Sequence, residues 1–215
     1  EYSGLRLPDN LYLIGTVNMD ETTHPFSKKV LDRANTIEFS QVHLKGYSHA
    51  AVTDAPRPIR LSNQQMCGKF VRLADTLEVD ASFVDSVVDK LVAVNEVLGK
   101  VNLQVGYRVR DEIVIYMLHN RLLGLMQEDD AFDYQLSQKI LPRIQGSSLA
   151  VRRMLMELLQ YCGGISLSDA NDDLLDRLLE YERGGAEMAP YPLSATKLAT
   201  MLRRFEEDGF TSYWI

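Results

Sequence analysis

The chain has 215 residues, of which 46% are hydrophobic and 25% charged, and its formal net charge is −7. Its length and composition allow one large core or two small ones. The excess of acid excludes indiscriminate attraction to phosphate backbones, so any contact with nucleic acid would have to be local. Because the sequence does not begin with a basic and then apolar leader, and contains no run of about 18 apolar residues, we expect a cytoplasmic protein without membrane contact.

Residues 1–60 predict a small α/β unit. The apolar run LYLIGTV, residues 11–17, follows a Pro-Asp-Asn turn and is typical of a strand buried on both faces. A second short strand is predicted at TIEF, residues 36–39, and Pro25 can occupy the first turn of a helix between the two. Because a buried strand needs neighbours on both edges, we expect the sheet to continue in polypeptide that precedes Glu1.

The rest of the chain has helical periodicity. The segment DAPRPIRLS, residues 54–62, contains prolines that forbid a regular helix and predict a linker. Beyond it, apolar residues recur every three or four positions. The predicted helices run from the N-cap Ser62 through Leu77, from the N-cap Asp80 to Gly99, from Tyr107 towards Met126, over Leu155–Cys162 before Gly163, from the cap Ser168 through Leu179, and between Ser194 and Gly209. The predicted fold class is predominantly α with a small α/β remnant.

The cysteines and histidines do not predict a metal site. Cys67 and Cys162 lie far apart and lack the spacing of zinc or redox motifs, so buried reduced thiols are expected. The four histidines also lack metal-binding spacing. They are His24, His43, His49 and His119.

Several charged clusters favour ordinary surface roles. The acidic groups Glu128–Asp130 and Glu206–Asp208 predict solvated helix ends. The pairs Arg152-Arg153 and Arg203-Arg204 could meet a phosphate backbone. Glutamates lie within helical reach of both pairs, however, so ion pairs with Glu157 and Glu207 are the expected arrangement.

Asn18 directly follows the first predicted strand. Ligands of open α/β sheets bind beyond the carboxyl ends of the strands. An amide both donates and accepts hydrogen bonds, so Asn18 could hold a water in line with a phosphate, with Glu21 adding a carboxylate beside it. The same residues would also serve as a polar loop in which Asn18 caps the following helix.

Two arginines each allow two interpretations. Arg33 could be a surface residue that pairs with Asp32 or balances the end of its helix, or it could stabilise charge on the phosphate of a neighbouring subunit. Arg108 could pair with Glu112 one helical turn away, or it could point a guanidinium at a nucleotide phosphate. Residue type alone does not choose between them.

Taken together, these motifs resemble the second half of an AAA+ nucleotidase module of the McrB-related kind. IGTVNMDE, residues 14–21, matches the asparagine-containing first sensor of that family, which implies that Asn18 is the sensor amide and Glu21 stands at the place of the family's aspartate. VLDRAN falls in register with the family's arginine segment and implies that Arg33 is an arginine finger. GYRVRDEI is similar to the second sensor of the family's helical lid and gives Arg108 a nucleotide-sensing role.

The resemblance implies three regions and a nucleotide cofactor. Residues 1–60 would be the C-terminal part of the AAA+ α/β core, residues 61–127 a helical lid and residues 128–215 a helical C-terminal extension. The cofactor would be ATP or GTP with Mg²⁺. Because the sequence contains neither a GxxxxGK[ST] phosphate loop nor a strand that ends in paired acids, upstream residues would hold most of it, and this chain alone should be inactive.

The implied partners are other copies of the chain in a ring and an McrC-like nuclease subunit, with DNA bound by regions outside this sequence. Nucleotide hydrolysis would drive DNA translocation or the nuclease. Two alternatives stay open: a helical binding or assembly module on a degenerate AAA+ scaffold, and a MoxR-type AAA+ chaperone that remodels proteins.

Overall fold

A computed structural model describes residues 4, 6–8, 10–19, 24, 26–39, 60–66, 72–167 and 173–214, and the structural account concerns these residues. They belong to two compact units. The smaller is drawn from residues 1–23 and 38–69, and the larger from residues 24–37 and 70–215.

The described part of the chain is predominantly helical, as the sequence predicts. The helices are α1 (Lys28–Leu31), α2 (Asn63–Met66), α3 (Leu73–Gly99), α4 (Tyr107–Leu123), α5 (Glu128–Gln135), α6 (Leu149–Gly163), α7 (Leu174–Glu180) and α8 (Pro192–Asp208). Helices α5 and α7 continue into π-helical turns at Leu136–Ile140 and Tyr181–Gly185, and a 3₁₀ turn at Leu141–Arg143 follows the first. Two short strands, β1 (Gln145–Gly146) and β2 (Thr211–Ser212), pair antiparallel.

One hydrophobic core holds the larger unit together. Helix α6 packs against α8, α3 against α4, and α5 contacts both α4 and α8. Fully burying an aliphatic or aromatic side chain contributes about 1.5–3 kcal/mol, so this core is the main source of stability. Helices on both sides of the predicted boundary between residues 127 and 128 contribute to it. Its members include Val87, Leu91, Ile113, Met117, Phe132, Met154, Leu159, Leu198 and Leu202.

Local capping signals located several helix ends correctly. Asp80 has non-helical dihedral angles (φ −156°, ψ 83°), and its Oδ1 accepts a hydrogen bond from the backbone N–H of Phe83 at 3.0 Å. That bond is the largest of the effects that hold the pKa of the Asp80 carboxyl below its usual value. The predicted N-cap is therefore confirmed, although it forms a kink within α3. Gly164 and Gly209 end α6 and α8 in the left-handed conformation, with φ of 64° and 69°.

Other helix boundaries differ from the prediction. Helix α4 ends before Met126 because Gly124 adopts a left-handed φ of 59°. Helix α5 was not predicted, and Glu128–Asp130 form its first turn, where carboxylates complement the helix dipole. Helix α8 begins at Pro192, ahead of the predicted Ser194. The predicted cap Ser168 lies outside the described residues.

The two predicted strands are absent. The described residues of both segments are irregular, and the apolar side chains of the first are largely exposed, with Leu13 at 86% and Ile14 at 92%. A strand is stabilised by backbone hydrogen bonds to a neighbouring strand, and no segment among the described residues pairs with residues 11–17 or 36–39. The prediction of an α/β remnant is therefore wrong for the described part of the chain.

Cys162 is a buried free thiol, as predicted, and burial raises its pKa. Cys67 lies outside the described residues. None of the described helices combines the length and apolar character needed to cross a membrane.

Candidate functional site

The predicted site residues fall in different parts of the described chain. Asn18 belongs to the smaller unit, where it is exposed on an irregular segment. Glu21 lies outside the described residues. Arg33 and Arg108 both belong to the larger unit, and both are exposed.

The segment that carries Arg33, residues 24–37, packs on the helical body. Leu31 is buried there at 5% exposure, and the ring of Phe26 meets the ring of Trp214 edge-on at a centroid distance of 5.7 Å. The backbone N–H of Thr36 donates to the carbonyl of Gln138 at 3.3 Å. Residues on both sides of Arg33 are therefore fixed to the same helical body.

An ion pair between the buried Arg143 and the partly exposed Asp32 also anchors this segment. Nη1 of Arg143 lies 2.9 Å from Oδ1 of Asp32, and the Arg143 side chain is only 7% exposed. The two atoms are close but are not aligned as a hydrogen bond, and Nε of Arg143 also has no hydrogen-bond partner in the described part of the chain. The attraction is therefore mainly between the two charges. Asp32 thus pairs with Arg143, and among the described residues it forms no ion pair with the neighbouring Arg33.

Arg33 caps its own helix. Its Nη1 donates to the carbonyl oxygen of Lys29 at 2.8 Å, at the C-terminal end of α1. A cation at this position satisfies a terminal carbonyl and complements the helix dipole. In this chain, Arg33 thus forms the contact expected of a surface arginine, while its guanidinium stays exposed at the end of an anchored segment.

Arg108 lies on the first turn of α4 at a well-defined helix start. The side-chain amide of Asn95 fixes the preceding loop, since its Oδ1 accepts from the N–H of Val105 at 2.7 Å and its Nδ2 donates to the Val105 carbonyl at 3.3 Å. Gly106 is the N-cap and supplies no side-chain acceptor for the first turn. The first N–H groups of α4 and the Arg108 guanidinium therefore lie at the same exposed end.

The predicted pairing of Arg108 with Glu112 does not form. Glu112 is bound instead by the ammonium of Lys139, whose side chain is 2% exposed. The second arginine of the motif, Arg110, pairs with Asp111 at 2.6 Å. Arg108 has no hydrogen-bond or ion-pair partner among the described residues. The larger unit thus presents an uncompensated guanidinium beside an uncapped helix N-terminus, an arrangement that suits an anion.

Sequence reasoning missed the two buried cations that organise this region. Lys139 and Arg143 lie on the π-helical and 3₁₀ turns after α5, and they bind acids of α4 and of the segment 24–37, respectively. The available signal was two basic residues four positions apart within the apolar segment QKILPRIQG. That spacing did not reveal their partners, which lie far away in the sequence.

One arginine from each of the two adjacent-arginine motifs, Arg152 and Arg203, forms ion pairs. Some of the partners differ from those predicted. Arg203 binds Glu207 at 2.6 Å, as expected, and also Glu182 at 2.8 Å. Arg152 binds Glu206 rather than Glu157. Glu157 instead pairs with Lys100, whose Nζ lies 2.5 Å from its Oε2.

The described fold and site define a helical domain with a docked N-terminal segment, on which the predicted site residues Arg33 and Arg108 are exposed. The chain belongs to a family described as a domain of unknown function (DUF8727), whose model matches residues 60–210. This match spans both the predicted lid and most of the predicted extension. No curated protein and no solved structure matches the chain.

Replacing Asp32 by alanine is expected to loosen the segment 24–37 without unfolding the helical body. The substitution leaves the buried Arg143 guanidinium without its counter-charge, whereas the hydrophobic core is untouched. Amide hydrogen exchange should become at least about tenfold faster for residues 28–37. The emission of Trp214, the single tryptophan of the chain, should change as Phe26 moves away.

The control for Asp32→Ala is Glu157→Gln, which breaks the exposed pair with Lys100. Exposed pairs contribute about 0–1 kcal/mol, so this variant should match the parent in both measurements. Unchanged exchange in Asp32→Ala would show that the ion pair does not hold the segment.

Proposed function

We propose that this chain is the sensor, arginine-finger and lid portion of an McrB-like AAA+ NTPase subunit. In the assembled protein, Asn18 orients the attacking water, Arg108 contacts a phosphate of the nucleotide and Arg33 serves the nucleotide of the adjacent subunit. ATP or GTP with Mg²⁺ is held mainly by polypeptide that precedes Glu1. Hydrolysis drives DNA translocation or a nuclease partner of a modification-dependent restriction system.

The observation that carries this proposal is the state of Arg108. A carboxylate one helical turn away can pair with a surface arginine, and Glu112 stands at that position relative to Arg108. Here Glu112 forms an ion pair with Lys139. The Arg108 guanidinium is left exposed beside first-turn N–H groups of α4 that no side chain caps. Both features favour a phosphate. The paired sequence motifs around Asn18 and Arg33 supply the rest of the support.

Arg108→Ala is expected to weaken nucleotide binding by about 10- to 100-fold, because a charge-assisted hydrogen bond to phosphate contributes about 1.5–3 kcal/mol. The protein to use is the chain joined to its preceding polypeptide. Titration with a fluorescent nucleotide measures the affinity.

Arg110→Ala is the matched control for this measurement. Arg110 lies two residues away on the same helix turn, but its guanidinium is already bound to Asp111. The control should bind nucleotide like the parent. If Arg108→Ala bound nucleotide as tightly as the parent, Arg108 would not be a nucleotide contact.

A helical binding or assembly module is the second candidate. The family match begins at residue 60 and leaves out the segments that carry Asn18 and Arg33. The helical body also has its own continuous core. This candidate predicts that nucleotide affinity and hydrolysis in the longer protein are insensitive to both Asn18→Ala and Arg33→Ala.

A further inference from the structure

The end of α4 and the turn that follows it expose four large apolar side chains within five residues. Leu122, Leu123, Leu125 and Met126, which we name the leucine patch, are 51%, 64%, 65% and 37% exposed. Isolated exposed leucines are common on soluble proteins, whereas contiguous groups mark interaction sites.

The turn that carries the leucine patch is held firmly. The buried side chain of Asn120 accepts a hydrogen bond from the N–H of Met126 and donates to its carbonyl, both at 3.0 Å. The N–H of Leu125 donates to the backbone carbonyl of Asn120 at 3.3 Å, and Gly124 supplies the left-handed conformation that the turn requires. The exposed leucines are thus presented by a fixed backbone rather than by a frayed helix end.

A groove of about 360 Å³ adjoins the patch and shares Met126 with it. Its apolar lining includes Tyr134 and Leu193, each 44% exposed. Asp133 forms part of its wall, where the two carboxylate oxygens accept from the N–H groups of Leu193 and Ser194 at 2.7 and 2.8 Å. These bonds attach α5 to the start of α8 and fix the shape of the groove.

The groove carries negative charge that is not paired with a cation. It contains the carboxylates of Asp130 and Asp133, and neither forms an ion pair among the described residues. The nearby cation Lys90 is bound to Asp129 at 2.7 Å. Arg121 lies 3.6 Å from Glu128. Asp133 is 3% exposed, burial raises its pKa, and both of its carboxylate oxygens are bonded to backbone N–H groups. Asp130 is therefore the carboxylate of the groove that a partner can reach.

We propose that the leucine patch and the groove together dock an amphipathic helix of a partner protein that carries a basic residue within its apolar face. Apolar residues of that helix lie on Leu123 and Leu125. The aliphatic stem of its lysine or arginine runs along Met126 and Tyr134, and the cationic head reaches the exposed carboxylate of Asp130. This surface is separate from Arg33 and Arg108 and goes beyond the proposed nucleotide role.

The charge of the groove selects this occupant over other apolar or anionic surfaces. Nucleic acid and anionic membranes both present negative charge to the protein and would be repelled by Asp130 and Asp133. A purely apolar helix would bury the carboxylate of Asp130 without a cation, which is costly. A basic amphipathic helix satisfies both the apolar and the acidic parts of the surface.

The test measures the binding of two synthetic helices to the 215-residue chain. Both are about 18 residues long with leucine on one face, and they carry either lysine or glutamate at matched positions along the border of that face. Fluorescence anisotropy of the labelled peptides gives the affinities. The lysine peptide should bind, its binding should weaken as salt is raised, and the glutamate peptide should not bind.

Two variants separate the apolar and the electrostatic contributions. Leu123→Ser with Leu125→Ser removes apolar contact, and Asp130→Asn removes one charge at nearly constant shape. Each should weaken binding of the lysine peptide at least about tenfold. Leu149→Ser, at another residue with 68% exposure, is the control and should leave binding unchanged. All the altered residues are exposed. Melting curves verify that every variant is folded.

Equal binding of the two peptides, or binding that survives both sets of substitutions, overturns the proposal. Sedimentation velocity provides a further contradictory outcome. If the parent chain forms dimers that Leu123→Ser with Leu125→Ser dissolves, the occupant of the patch is a second copy of the chain and not a basic helix.

Discussion

Arg33→Ala is expected to lower NTP hydrolysis by the assembled protein by about three to five orders of magnitude. An arginine that reaches the transferred phosphoryl group stabilises charge that develops in the transition state, so its loss slows the chemical step while ground-state binding persists. The measurement is phosphate release at saturating nucleotide by the chain joined to its preceding polypeptide. Nucleotide affinity, measured in parallel, should change far less than the rate.

The hydrogen bond of Arg33 to the carbonyl of Lys29 does not prevent this role. A hydrogen bond of this kind contributes about 0.5–1.5 kcal/mol. The expected rate effect corresponds to about 4–7 kcal/mol of transition-state stabilisation. The guanidinium can therefore leave the helix end for a phosphate at little cost, while the Asp32 ion pair and the Phe26 contact keep the segment in place.

Mixing two inactive variants tests whether Arg33 acts on the neighbouring subunit. Asn18→Ala damages the site of its own subunit, and Arg33→Ala withholds the finger from the next one. In a mixed ring, an Arg33→Ala subunit with an intact Asn18 can receive the arginine of an Asn18→Ala neighbour. Random mixing in equal amounts should restore activity at about one quarter of the sites, whereas each variant alone stays inactive.

Lys29→Ala is the control for these experiments, because Lys29 is exposed on the same helix and contributes only its carbonyl to Arg33. It should retain near-parental hydrolysis. If Arg33→Ala also hydrolysed nucleotide at a near-parental rate, the finger assignment would be wrong. Failure of the mixture to regain activity would instead show that Asn18 and Arg33 of one and the same subunit act in a common site.

The parts of the fold that the sequence predicted well depend on local interactions. Asp80 caps a helix through a bond to a residue three positions away, and Gly164 and Gly209 end helices because they readily adopt a positive φ. The apolar periodicity of α3, α6 and α8 likewise needs no knowledge of distant residues. Signals of this kind can be read from a single sequence.

The errors have the opposite origin. The run at residues 11–17 was assigned as a strand from its composition, but strand formation requires a hydrogen-bonding neighbour that the described residues do not provide. Of the two surface interpretations of Arg33, the one at the helix end agrees with its bond to the Lys29 carbonyl, whereas the pair with Asp32 does not form because Asp32 is bound to Arg143 from a remote turn. The roles of Lys139 and Arg143 depend on tertiary contacts, so their sequence spacing could not disclose them.

Glu112→Ala is expected to lower the free energy of unfolding by about 3 kcal/mol. The two partners of this ion pair differ in burial, with side-chain exposures of 2% for Lys139 and 38% for Glu112. Removing the carboxylate leaves a buried ammonium without a counter-charge. Removing the ammonium leaves a carboxylate that water can reach, so Lys139→Met should cost no more than about 1 kcal/mol.

The double variant distinguishes this explanation from a simple loss of packing. With both charges absent, no buried ion remains unpaired, and the methionine fills most of the volume of the lysine stem. Urea denaturation should therefore place the double variant closer to Lys139→Met than to Glu112→Ala, although it carries one more substitution. If Lys139→Met cost more than Glu112→Ala, the packing of the lysine stem rather than the burial of its charge would determine the stability of this turn.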